Sequence, residues 1–160
     1  MSSHPDATAA TPATSTPGAR QWLVPVDGSD CALRSLRHAI GLARDARAGS
    51  IHVVTAHEQP YIFGEIEVYV SPEKVAEMQR VHSETLLAPA VALLREAGVN
   101  FTTEVLVGHI AQAIAHRADE LGCAGIVMGT RGKTAIGNLI LGSVANQVVH
   151  FANVPVTLIK

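Results

Sequence analysis

At 160 residues the chain has room for one compact domain but not for two ordinary ones, and a core of that size needs no disulfide or metal to hold it. Almost half the residues are apolar while only 4% are aromatic, so the core must be aliphatic. The net charge is −2 with no basic run, which argues against nucleic acid or an anionic membrane as the main partner, and no stretch nears the ~18 apolar residues of a membrane-spanning helix.

Residues 1–20 are mostly Ala, Thr, Ser and Pro. They lack the hydrophobic stretch of a signal peptide and bury too little apolar area to offset their ordering entropy. They read as a disordered tail, residues 21–160 as the folded domain, and the protein is expected to be cytoplasmic. Cys31 and Cys123 form no CxxC pair and read as small hydrophobes in a reducing compartment.

From Gln21 onward strands and helices alternate. Trp22-Leu-Val-Pro-Val26 is a first strand, and Asp27-Gly-Ser29 supplies a turn and an N-cap. In the helix that follows, Leu33, Leu36, Ile40 and Ala43 fall on one face with Arg34, Arg37 and Arg44 outside, and Gly49 marks its C-terminal cap. Ile51-His-Val-Val-Thr-Ala56 is a second strand. Residues 57–71 show no helical period and contain Pro60 and Gly64, so they read as a loop, a candidate lid.

Pro72 opens a long helix with Val75, Met78, His82, Leu86, Leu93 and Leu94 on or near one face, which Pro89 should kink or split. A third strand covers residues 101–107. A third helix runs to about Leu121 with Ile110, Ile114 and Ala118 inward, followed by a fourth strand, Gly125-Ile-Val-Met-Gly129. A last helix spans Ser143–Phe151, and Val154-Pro-Val-Thr-Leu-Ile159 is the last strand. Helical crossovers of this length imply parallel pairing and a three-layer α/β domain. Pro155 cannot donate to a ladder, so the last strand belongs at a sheet edge, and a second copy of the chain is the simplest cover for it.

In open parallel sheets ligands bind beyond the carboxyl ends of the strands, where the strand order reverses. Two such ends stand out, Pro25-Val-Asp27 and Met128-Gly-Thr-Arg-Gly132. Gly129 and Gly132 are two residues apart, and nine more lead to Gly142-Ser143 at a helix start. Glycines admit phosphate oxygens to backbone N–H groups, the helix end favours an anion, and the Ser143 hydroxyl can cap the helix or contact phosphate. Arg131 and Lys133 add positive charge in a stretch with no acidic residue from 121 to 160. Gly132-Lys-Thr134 is not the tail of a Walker A loop, because Val127 stands where the first glycine belongs and residues 126–128 are strand. No GxGxxG is present. Asp27 either steadies the following helix or reaches into the crevice shared with Gly129. The histidines at 38, 52, 57, 82, 109, 116 and 150 are scattered, with no helical i, i+4 pair, and read as surface or cap residues.

The stretch from Gly129 to Ser143 resembles the nucleotide motif G-x2-G-x9-G-[S/T] of the universal stress protein family, and Leu23-Val-Pro-Val-Asp-Gly-Ser29 and Val154-Pro-Val-Thr-Leu-Ile159 resemble its first and last strands. The resemblance implies an open, doubly wound, five-stranded parallel sheet in the order 3-2-1-4-5 with helices on both faces, and a homodimer paired through the last strand. Because the motif is intact, it implies an ATP-binding regulatory protein of the stress response. Pro25, Val26 and Asp27 would contact adenosine, with Ala56 in the place of a larger aliphatic beside adenine. Met128 and Gly129 would line the ribose side. Gly132, Gly142, Ser143 and Val144 would hold the phosphates, with Mg2+ or Mn2+ carried mainly by the phosphates and no metal ligands of the chain's own. The alternative is a slow ATPase or phosphotransferase using the same crevice, for which His57 or Glu58, after the second strand, could in principle serve as the base.

Overall fold

The structure, a computed structural model, describes residues 20–46, 48–58, 72–132 and 141–160. All but the last residue of the expected tail, Lys133 and all but the first two residues of the candidate lid lie outside the described residues. The elements follow as β1 (Gln21–Pro25), α1 (Asp30–Asp45), β2 (Ser50–His57), α2 (Pro72–Ala97), β3 (Asn100–Val107), α3 (Ile110–Glu120), β4 (Gly125–Gly129), α4 (Ser143–Phe151) and β5 (Val156–Ile159). The strands form one parallel sheet in the order β3-β2-β1-β4-β5, as expected.

Alternation along the strands divides the core in two. Trp22, Val24, Ile51, Val53 and Val127 face α1 and α2, where Leu36, Ala39, Ile40, Ala90 and Leu94 cover them. Leu23, Val54, Ile126 and Met128 face α3 and α4, against Ala111, Ile114, Ala118, Ala145 and Val148. Full burial of each Val, Leu or Ile contributes roughly 1.5–3 kcal/mol, so these two aliphatic layers hold the sheet between its helices.

Register explains where the sheet opens. β1 pairs with β2 along its whole length but with β4 only at Trp22↔Gly125 and Leu23↔Ile126. Ala124 donates to the Gln21 carbonyl on the β4 side, and Val26 donates to Val54 on the β2 side. By alternation Pro25 faces β4, and it has no N–H to continue that ladder. The carboxyl ends of β1 and β4 therefore part.

Several expectations need correction. Leu33 is only half-buried; the buried stripe of α1 is Cys31, Ala32, Ser35, Leu36, Ala39, Ile40 and Ala43. Gly49 does not cap α1, which stops at Asp45, and the left-handed position is Ala48, at φ 52°. Gly49 is needed for a close approach instead, since a Cβ there would stand 2.2 Å from the Ala43 carbonyl oxygen. In α2, Met78 is 62% exposed and His82 is exposed too. That helix buries Ser83, Leu86, Ala90 and Leu94, none of them in its first eleven residues, because its N-terminal part reaches past the core. Pro89 does not split α2; it lies on the exposed face, and the helix continues to Ala97. β5 begins at Val156, with Pro155 joining the β4 ladder only as an acceptor, 2.9 Å from the Ile126 nitrogen. His52 is neither a surface nor a cap residue. It is buried in β2, where Nε2 donates to Glu104 (2.8 Å) and Nδ1 lies 2.6 Å from the Thr102 hydroxyl, while Arg117 of α3 donates to the same Glu104 oxygen at 2.7 Å.

Candidate functional site

A cavity of about 490 Å3 fills the gap between the carboxyl ends of β1 and β4, within the ~300–1,000 Å3 of small-molecule sites. At the end of β1, Pro25, Val26 and Asp27 line it. The Asp27 carboxylate accepts the Ser29 backbone N–H at 3.0 Å, and the Ser29 hydroxyl accepts that of Ala32 at 3.1 Å. Asp30 adds a negative charge in the same turn, so the N-terminus of α1 is satisfied by its own residues.

The β4 side is built differently. A Cβ on Gly129 would stand 2.7 Å from Cys31 Sγ, and one on Gly132 2.5 Å from Asp27 Oδ2. The first glycine thus lets α1 pack against the end of β4, and the second lets the loop close over the Asp27 carboxylate. The Gly142 N–H donates to the Thr130 carbonyl at 2.7 Å, which ties together the two ends of the connection into α4. Gly142, not Ser143, is the N-cap of α4; no side chain caps that helix, and its first turn has no acidic residue. Ser143 is therefore not the cap, and its exposed side chain lies at the cavity with Gly142, Val144 and Ala145. The first-turn N–H groups have no intrahelical acceptor, so the positive end of α4 is presented to the crevice.

Eleven of the twelve residues singled out above line this one cavity: Pro25, Val26, Asp27, Ala56, Met128, Gly129, Arg131, Gly132, Gly142, Ser143 and Val144. The twelfth, Lys133, lies outside the described residues. Ser29, Ala32, Ile110, Ile114, Thr130 and Ala145 complete the lining and were not anticipated there. Ile110 and Ile114 read as core from their helical spacing, which says that they face inward but not that the sheet parts above them. Thr130 was detectable, because it stands two residues beyond Met128 on the same face of the strand. The lining combines aliphatic side chains, those of Val26, Ala32, Ala56, Ile110, Ile114 and Met128, with the loop glycines, the start of α4 and hydroxyls.

His57 points elsewhere. Its Nε2 lies 2.8 Å from the Ser83 hydroxyl, which itself donates to the Gln79 carbonyl, so His57 Nε2 carries the proton. Burial, and then the His82 ring 5.5 Å away, lower its pKa. Neither it nor Glu58 lines the crevice, and His109, at the start of α3, does not either. Among the described residues no three His, Cys, Asp or Glu side chains gather to hold a metal ion, and none of the helices is long and apolar enough to cross a membrane.

A sequence profile described as the Universal stress protein family matches residues 19–160. The chain belongs to the universal stress protein family. It is 34% identical over 143 residues to Universal stress protein MJ0531 of Methanocaldococcus jannaschii, covering 88% of this chain and 82% of that one. A solved universal stress protein from Archaeoglobus fulgidus superposes with a TM-score of 0.67 at 32% identity, covering 88% of this chain and 98% of its own. A structure of the universal stress protein from Archaeoglobus fulgidus in complex with dAMP superposes with a TM-score of 0.62 at 30% identity, with the same two coverages of 88% and 98%. Glycines at 129, 132 and 142 in this universal stress protein thus sit on the described walls of one crevice, two of them where a side chain would collide with α1 or Asp27.

Proposed function

We propose that this universal stress protein binds ATP in the crevice, and that occupancy acts as a switch on its contact with a second copy of the chain or with another partner in the stress response. The observation that carries the reading is the union, in one cavity, of an aliphatic slot rimmed by the Asp27 carboxylate with the uncapped N-terminus of α4. An apolar slot suits a base and an uncapped helix start suits phosphates. The dAMP complex of the Archaeoglobus fulgidus relative supports an adenine nucleotide. In this reading Pro25, Val26 and Asp27 meet the adenosine, Ala56 lies beside the adenine, and Met128 and Gly129 flank the ribose. Gly132, Gly142, Ser143 and Val144 take the phosphates with help from Arg131 and Lys133.

The donor set bears on the metal. Asp27 is the one carboxylate among the described lining residues, joined by the hydroxyls of Ser29, Thr130 and Ser143. Such a set suits Mg2+ or Mn2+ held mainly by phosphates rather than by a protein cage. Slow hydrolysis or phosphoryl transfer draws less support. It needs a group to position the attacking oxygen, and Asp27 sits at the β1 end with an oxygen engaged by Ser29. The switch has a material link: the Ile159 carbonyl of edge strand β5 accepts both the Thr130 N–H (2.8 Å) and the Cys31 thiol (3.1 Å), joining the crevice wall to the sheet edge proposed for dimer pairing. The protein is placed by this reading in the cytoplasm.

The test is to denature the purified protein, identify any released nucleotide by chromatography, and titrate ATP and GTP. Absence of bound nucleotide together with no binding at millimolar ATP sinks the proposal. Gly142→Val presses a branched side chain toward the Thr130 carbonyl, 3.2 Å from a Cβ at that position, and should abolish binding; undiminished affinity would mean that the phosphates lie elsewhere.

A further inference from the structure

We infer that Thr130 is a ligand-contacting residue of the crevice, its hydroxyl bonding the phosphate group nearest the nucleoside. This rests on the nucleotide reading above and extends it to a residue between the first two glycines of the motif, a position the spacing leaves open to any side chain. Thr130 lines the cavity and is only 6% exposed. Its Oγ1 is the one buried side-chain oxygen or nitrogen without a hydrogen-bond partner among the described residues. A buried hydroxyl left unpaired carries its whole desolvation cost, and a valine of the same shape would avoid it.

The backbone keeps the side chain from escaping. The Thr130 N–H donates to Ile159 at 2.8 Å and its carbonyl accepts from Gly142 at 2.7 Å, so both main-chain groups are engaged and the residue is pinned between β5 and the start of α4. The bond to Ile159 continues the β4 ladder. Alternation then puts Thr130 on the face of Ile126 and Met128, the side of the sheet that carries α3 and α4. Gly129, on the proposed ribose side, precedes it. One hydrogen bond away is Gly142, the cap of the helix whose free N–H groups suit phosphate. Thr130 therefore stands where a nucleoside gives way to its anionic tail, and a phosphate oxygen there accepts its proton.

Calorimetric titration of the full chain with ATP, AMP and adenosine tests this, alongside thermal unfolding without ligand. Thr130→Val should bind ATP and AMP about tenfold more weakly, as expected for losing a hydrogen bond to a charged group. Its adenosine affinity should stay within about twofold of wild type, and it should unfold at the same temperature or higher, with one fewer unpaired group to bury. Thr130→Ser should keep most of the nucleotide affinity. ATP binding by Thr130→Val equal to wild type overturns the inference, as it would if a trapped water satisfied the hydroxyl. An equal loss for adenosine, or a lowered unfolding temperature with unchanged affinity, also overturns it. If wild type binds none of the three ligands, the nucleotide reading falls first and takes this one with it.

Discussion

Adding one methyl group at Gly129 tests which side of the crevice wall requires a glycine there. The new Cβ would stand 2.7 Å from Cys31 Sγ and 3.1 Å from Cys31 Cβ, against the ~3.5–4.0 Å of ordinary carbon contacts. Forcing a methyl into such a space costs about 1–3 kcal/mol. Replacing Gly by Ala also restricts the unfolded chain, which returns about 0.4–1 kcal/mol. The net expectation for Gly129→Ala is a loss of about 1–2 kcal/mol, a fall in Tm of roughly 3–6 °C for a chain of this size. Cys31→Ala alone removes one buried heavy atom and its bond to Ile159, at about 1 kcal/mol. In the double variant the sulfur is gone and the collision is mostly relieved, so urea unfolding should find it scarcely less stable than Cys31→Ala. That amounts to a coupling of about 1–2 kcal/mol. Effects that add to within about 0.5 kcal/mol would refute the argument. So would a Gly129→Ala protein of normal stability that no longer binds ATP, because the glycine would then serve the ligand and not α1.

The remaining predictions concern protons, a thiol and the sheet edge. His57 has a pKa held below its ordinary 6.5 by burial and by His82, so the unfolded chain takes up this proton first on acidification. Its effect is absent at neutral pH, and stability falls as the pH drops below about 6.5; His57→Gln should flatten that part of the profile in chemical unfolding. For Glu104 burial pushes the pKa up, but hydrogen bonds from Arg117 and His52 outweigh it and hold the carboxyl below 4.5. Its stabilisation is present above that pH and is lost as the pH falls through the folded value, and Glu104→Gln should remove this acid limb. Burial pushes the Cys123 thiol up to about 11. Peptide mapping after iodoacetamide at pH 8 should find it unmodified in the folded protein and modified in urea, and labelling at equal rates in both states would contradict this. If two copies pair through β5 as proposed, Pro155→Asp places a charge beside the first residue of that strand and should lower the mass measured by light scattering from that of a dimer to that of a monomer. An unchanged dimer would remove the edge pairing from the proposal.

Periodicity carried most of the fold because each segment buries a face of its own. β4 and α4 have the bounds read from sequence, and the strand order of the resembling family is the one observed. The errors are of another kind. Met78 and His82 keep a helical spacing that points to a face, but nothing local says how far α2 extends past the sheet. Gly49 looked like a cap, whereas its missing Cβ answers to the Ala43 carbonyl on the preceding helix. Gly129 and Gly132 were recognised by spacing, yet Cys31 and Asp27, which collide with any side chain there, are about a hundred residues away in sequence. The buried His52 is partnered by Glu104 on β3, which Arg117 on α3 holds in turn. Contacts that span the sheet leave no mark on a local pattern.

Pro25 unites the fold and the site more directly than any glycine does. It entered the candidate site as part of the first strand's carboxyl end, and the family resemblance then put it beside adenosine. The register supplies a reason internal to the chain: Pro25 falls on the β4 side of β1, where its missing N–H leaves the ladder without its next donor. The two central strands part beyond Leu23↔Ile126, and the cavity occupies the space they leave. Beyond that point the end of β4 turns its hydrogen bonds outward, to Ile159 on β5 and Gly142 at α4. The crevice is thus a consequence of how the sheet ends rather than a hollow carved between finished layers. Its β4 wall is held by the edge strand and by the helix that starts at its rim, which is why a change in the crevice has a short path to the edge of the sheet.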